Sequence, residues 1–196
     1  MPSMNSKQLL TALTAAVRET LAQTQKLDGP SDKIMNQQPA AGGWSVAQVL
    51  AHLNSYNRFY LPQITQSLQG SRYPATTTYK PGFFGNYFTK MMQPPNPGQA
   101  FKKYKAPKDH TPPQVLDAQQ VCREFLQGQE RLLALLQNAA RHDLGKIKVP
   151  VSISRYIRLK LGDTFRFLIA HQQRHFEQID RVLQGVQAPA PQVCAA

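Results

Sequence analysis

Four long stretches of this chain carry helical periodicity, and each runs up to a glycine. They cover about residues 6–27 before Gly29, 46–69 before Gly70, 112–142 before Gly145 and 164–184 before Gly185. Glycine tolerates the left-handed backbone that commonly ends a helix, and Pro30 cannot continue one. The starts are marked as well. In "GGWSVAQV", Ser45 can cap the free amides and Gln48, three residues on, completes a capping box. Trp44 and Val49 occupy the two positions of a hydrophobic staple. "HTPPQ" offers Thr111 as cap, Pro112 at the first helical position and Gln114 to close the box. Asp163, following Gly162, caps the fourth run. Local chemistry of this kind leaves little room for a sheet protein, and the chain reads as all-α.

The connections are unequal. About 18 residues join the first two helices, and about 42, residues 70 to 111, join the second to the third. A proline-rich crossover of that length is unusual in a compact domain unless it packs on it. We therefore expect it to lie on the bundle, with a short helix in "FFGNYFTKMM". Residues 146–162, "KIKVPVSISRYIRLKLG", alternate like a strand, but no partner strand is evident. A short helix or an extended piece is expected there. Four helices with one long crossover predict a four-helix bundle. Residues 1–185 form one bundle domain on this reading, and 186–196 a disordered tail.

Composition narrows the classes. With 196 residues and 41% hydrophobic content, the chain suits a soluble globular domain. No apolar run approaches the roughly 18 residues that cross a bilayer, so a membrane is not an expected partner. The start "MPSMNSKQLL" lacks the basic and apolar regions of a secretory signal. Cys122 and Cys194 make no disulfide framework, which fits a reducing cytoplasm. The net charge is +12, and residues 70–113 alone contribute seven Lys/Arg against one Asp. Such a balance raises the question of an anionic partner.

Of five histidines, His171 and His175 stand four apart in "FLIAHQQRHFEQIDRVL", so a helix stacks them on one face. That face also carries Leu168, Gln178, Ile179 and Val182, and it points inward. His52 lies among Val49, Leu50, Leu53 and Tyr56 of the second helix and should also approach the core. A lone inward histidine is ordinarily a hydrogen-bonded core residue. Three together are another matter, because each buried nitrogen without a partner costs roughly 1–3 kcal/mol. One metal ion would satisfy all three and leave coordination positions open, as in catalytic sites. His110 and His142, in a loop and at a helix end, read as solvated or capping residues.

"GGWSVAQVLAHL", followed about 120 residues later by "AHQQRHFEQIDRVL", resembles the DinB/YfiT-like family of metalloenzymes. The match comprises the Trp-Ser entry to the second helix, a histidine seven residues after Ser45, and a last helix of form His-x3-His-x2-Gln. The resemblance implies a four-helix bundle of up-down-down-up type. It also implies a divalent transition metal (nickel, zinc, iron or manganese) on His52, His171 and His175. Relatives include thiol transferases that use low-molecular-weight thiols, a maleylpyruvate isomerase and metal-dependent hydrolases. Bundles of the family often pair as homodimers.

Two mechanisms follow for a small-molecule substrate. A hydrolase would activate a metal-bound water and needs a nearby base. The motifs supply no inward carboxylate: Glu177 and Asp180 are off the inward face, and Glu124 and Glu130 have no assigned place. A thiol S-transferase needs no such base, because coordination deprotonates the thiol. Tyr56 and Gln178 are candidate cavity-lining residues. Arg174, with Arg181 beside it on the last helix, is a candidate contact for an anionic substrate. "FKKYKAPKD" could fold over the bundle mouth and gate the pocket. The rival class is a basic protein that binds nucleic acid through the aromatics and cations of "FKKYK" and "SRYIRLK". No nucleic-acid-binding signature accompanies them. A third reading leaves the triad catalytically silent, pinning two helices together.

Overall fold

The computed structural model describes residues 1–28, 30–40, 42–94 and 104–187. Four long helices carry it: α1 (Ser6–Gln25), α3 (Val46–Gln69), α5 (Ala118–Ala139) and α6 (Leu161–Gln187). Short helices α2 (Asp32–Asn36) and α4 (Phe83–Met92) lie in the first two connections. The fold is mostly helical, as expected. Both α1 and α3 pack against both α5 and α6. The apolar interior divides into two clusters. One gathers Val17, Tyr60, Leu61, Ile64, Leu132, Leu136, Phe165 and Leu168. The other gathers Val46, Val49, Leu50, Leu53, Cys122, Phe125, Phe176 and Ile179. Between them each of α3, α5 and α6 places buried polar residues: Asn54 and Asn57, Gln129, and His171 and Gln172.

The start of α3 forms as its sequence dictates. Ser45 Oγ accepts from the Gln48 amide at 3.2 Å and Gln48 Oε1 accepts from the Ser45 amide at 3.0 Å. Trp44 and Val49 belong to the same apolar cluster. Other boundaries differ from expectation. α5 starts at Ala118 with Asp117 as its cap, not at Thr111. Pro113 accounts for this, because a proline disfavours the helical region for the residue before it, here Pro112. α6 starts at Leu161, so Asp163 lies inside the first turn and caps nothing. No side-chain cap is required, since Ile147 and Leu144 carbonyls accept from the Leu161 and Gly162 amides.

The glycines behave unequally. Gly70 ends α3, but with φ −79° it is right-handed. Gly145 lies beyond α5 in a turn where Asp143 Oδ1 accepts its amide. Gly185 falls within α6. Gly29 lies outside the described residues, as does the tail from 188 on; residues 186 and 187 continue α6. The left-handed glycines are Gly42 (φ 78°) and Gly43 (φ 115°), which turn the chain into Trp44.

The segment with strand-like alternation finds its partner in itself. β3 (Lys148–Val151) pairs antiparallel with β4 (Ser154–Lys160), Val149 opposite Leu159. Val149, Val151 and Leu159 turn inward, which is what the alternation encoded. The described parts of the crossover do lie on the bundle. β2 (Thr78–Tyr79) pairs with β1 (Met4–Asn5), and α4 packs on α6. That packing is fixed by Asp163, which is 1% exposed. Its carboxylate accepts from the Tyr79 hydroxyl and, at 2.8 Å, from the Gly82 amide.

Two glycine substitutions check these assignments by their sign. A Cβ on Gly85 would lie 2.2 Å from Asp163 Cγ. Gly85→Ala is expected to lower stability by about 1–3 kcal/mol in thermal denaturation. A Cβ on Gly185 meets nothing within 4 Å. Gly185→Ala is expected to raise stability by up to about 1 kcal/mol through helix propensity. A left-handed stop at Gly185 would reverse that sign.

Candidate metal centre

α3 and α6 supply the centre, and their local chemistry explains why. The capped start of α3 fixes its rotation, which sends His52 inward one turn before Tyr56. On α6, Leu168, Ile179 and Val182 are buried, and the same stripe carries His171 and His175. The three imidazoles then meet. His171 Nε2 lies 3.3 Å from His52 Nε2 and 3.0 Å from His175 Nε2. One nitrogen from each residue falls within 4.8 Å of the others.

Hydrogen bonds on the far side of two rings decide which nitrogens face inward as bare lone pairs. The main-chain carbonyl of His110 accepts from His52 Nδ1 at 2.6 Å. Gln178 Oε1 accepts from His175 Nδ1 at 2.9 Å. Both rings therefore carry their proton on Nδ1 and leave Nε2 unprotonated. His171 cannot resolve the resulting crowd of lone pairs. A proton on its Nε2 serves only one neighbour, while its buried Nδ1 has no partner. A cation among the three Nε2 atoms satisfies those lone pairs together, while the proton of His171 moves to Nδ1, which keeps no protein partner. The donor set therefore fits a divalent transition ion, for which neutral imidazole is an ordinary ligand.

The electrostatics agree. Burial pushes His52 down to about 4 and His175 to about 3, and His171 lies well below the usual histidine value. Desolvation of the charged ring is the main cause in each, and for His171 and His175 neighbouring imidazoles add to it. At neutral pH all three are uncharged.

A cavity of about 710 Å³ opens onto the triad. Tyr56 and Gln178 line it, and so do Arg174 and Arg181. Tyr56 packs its ring 4.4 Å from that of His171, and burial holds its phenol protonated. Arg174 sits over the Tyr104 ring at 5.3 Å. Trp44, 4.9 Å from the His52 ring, forms another wall. From the crossover, Tyr104, Lys105, Ala106 and Pro107 close one side. Phe101, Lys102 and Lys103 of the same motif lie outside the described residues. Among the described residues, the lining holds three cations and no carboxylate. Glu124 instead pairs with Arg58 at the surface, at 2.7 Å, and Glu130 is exposed.

One histidine departs from its sequence reading. His110 is not a solvated loop residue; it is 5% exposed. Its ring stacks on Tyr56 at 3.8 Å, and its Nδ1 bonds to Ser55 Oγ at 2.8 Å. Its place behind His52 was hidden because it ends a single 3-10 turn, Lys108–His110, too short for periodicity to reveal direction. His142, half-buried beside Pro74, stays apart from the triad.

Among the curated proteins and the solved structures, nothing matches this chain. A family model, described as the DinB superfamily, matches residues 8–179. That span begins in the first turn of α1 and ends on α6 beyond His175, taking in all three histidines. The chain belongs to the DinB superfamily.

Proposed function

We propose that this protein is a metal-dependent enzyme of the thiol S-transferase type. His52, His171 and His175 hold one divalent transition ion (nickel, zinc, iron or manganese), and a low-molecular-weight thiol is its partner substrate. The observation that carries this reading is the convergence of three neutral Nε2 atoms on a cavity without a carboxylate. Bound there, an ion with open positions supplies thiol deprotonation. The chain's own residues do the rest. Gln178 and the His110 carbonyl hold His175 and His52 in the ligating tautomer. Tyr56 presents a protonated phenol to the cavity. Arg174, Arg181 and Lys105 give it a cationic wall suited to the carboxylates of an anionic substrate. Trp44 and Tyr104 narrow the access of water.

The hydrolase alternative asks more of this cavity. Water attack needs a positioned base, and the lining offers no acidic group. For the nucleic-acid alternative, Tyr104 and Lys105, the two described residues of "FKKYK", line the cavity wall instead.

Elemental analysis of the untagged protein tests the ion. About one equivalent of a transition metal is expected in the parent, with none in His52→Ala or in the His171→Ala/His175→Ala double variant. A parent that takes up no metal after reconstitution at neutral pH would sink the triad as a metal site.

Acid titration of the chelated protein gives a second test. The unfolded imidazoles take up protons near 6.5, whereas folded His52 and His175 do so only near 4 and 3. Between those values the unfolded chain binds more protons, so stability rises with pH and falls as acid is added. Thermal midpoints of the metal-free protein should drop steadily from pH 7 to pH 5. The His171→Ala/His175→Ala variant should show a flatter slope.

A further inference from the structure

His110 contributes three contacts to α3 from outside the cavity. Its carbonyl takes the His52 Nδ1 proton, its ring lies on Tyr56, and its Nδ1 meets Ser55. The Ser55 hydroxyl donates at 2.6 Å to the main-chain carbonyl of His52. Its oxygen is therefore left to accept from His110 Nδ1. A closed circuit results: His52 ring to His110 carbonyl, His110 ring to Ser55, Ser55 back to the His52 main chain. His110 is not among the described residues that line the cavity; it lies behind Tyr56 and His52.

The residues just before it are the wall. Tyr104 to Pro107 border the cavity and are tied to α6 through Tyr104 and Arg174. Just after it, the Pro113 carbonyl accepts from Gln48 Nε2 of the α3 capping box. Residues 104–113 thus form a strap laid across the site from α6 to α3. It reaches a proposed metal-ligating residue through the His110 carbonyl, which accepts from His52.

We propose that His110 and Ser55 are positioning residues for the metal centre, through which docking of the strap and loading of the ion stabilise each other. The inference rests on the triad being the metal site. A histidine ligand that has lost its outer acceptor is free to rotate and to change tautomer. Removal of such partners typically costs 10- to 100-fold in metal affinity. Linkage is reciprocal: whatever factor strap docking adds to ion affinity, the ion must return to strap docking. The strap would then close on the loaded centre and loosen when it is empty, so that a walled cavity exists chiefly in the form able to react.

The test uses the full chain with Zn²⁺ alone as probe. Affinity is measured by competition with a chromogenic chelator for the parent, Ser55→Ala, His110→Ala and His110→Asn. Hydrogen exchange is followed at the His110 and Thr111 amides, which donate to the Pro107 and Lys108 carbonyls within the strap. Zn²⁺ should slow exchange of these amides in the parent by about 10- to 100-fold. Ser55→Ala and His110→Ala keep the main-chain carbonyl but release its anchoring, and should weaken Zn²⁺ binding by up to a similar factor. His110→Asn, which keeps a donor near the Nδ1 position, should restore part of it. A merely structural His110 would lower the melting temperature without moving affinity. Parent-like affinity in both alanine variants would overturn the proposal and leave the metal site standing, as would strap exchange indifferent to Zn²⁺. A parent that binds no Zn²⁺ overturns both. The exchange arm needs no substitution, so a variant that folds poorly does not decide the matter.

Discussion

Three uncharged imidazole nitrogens are pressed together in the interior of this protein, two of them with their protons drawn away behind them. Much of the surrounding structure can be read as support for that unfavourable arrangement. An apolar layer at this level of the bundle would be cheaper, since buried polar groups cost free energy unless each is hydrogen-bonded. The chain instead interrupts its core. Asn54, Asn57, Gln129 and Gln172 extend the polar layer across to α5, and several of their amide atoms have no protein partner. Apolar clusters on both sides, anchored by residues such as Phe165 and Phe125, supply the burial that offsets the layer. A core organised in this way is what a bound ion at its centre would require.

The two ends of the cavity are built by different means. One end is regular helix, where the capping box at Ser45 and the apolar stripe of α6 set side-chain direction with little freedom. The other is irregular chain: the Gly42–Gly43 turn that delivers Trp44, and the strap that delivers Tyr104 and Lys105. Rigid elements hold the three imidazole nitrogens and loops hold much of the walls. This is the usual division between a scaffold and the segments that choose a substrate.

Asp163 shows how a residue can be identified as important and still be misassigned. Its type and position suit a helix cap, and a cap would have kept its influence local. The turn before β3 satisfies the first amides of α6 with the Leu144 and Ile147 carbonyls, and the Asp163 carboxylate instead reaches Tyr79 and Gly82. It thereby fastens the crossover to the bundle, well over seventy residues away in sequence. Thr111 fails as a cap for a different, local reason: the steric effect of Pro113 on Pro112 outweighs its cap signal, and Asp117 caps α5 instead.

What the sequence determined by itself lay among the features set by near neighbours. The helical class, the start of α3, the short helix in the crossover, and the inward direction of His52, His171 and His175 all follow from 3.6-residue periodicity and capping. These are interactions within one turn, and they hold whatever the rest of the chain does. The partner of β3, the role of Asp163 and the place of His110 depended on contacts between segments far apart. The hairpin's alternation was legible while its pairing was not, because register is a relation between two stretches. His110 is the clearest case. Nothing within ten residues distinguishes it from a solvated loop histidine, and only the return of the crossover across α3 turns its carbonyl onto His52.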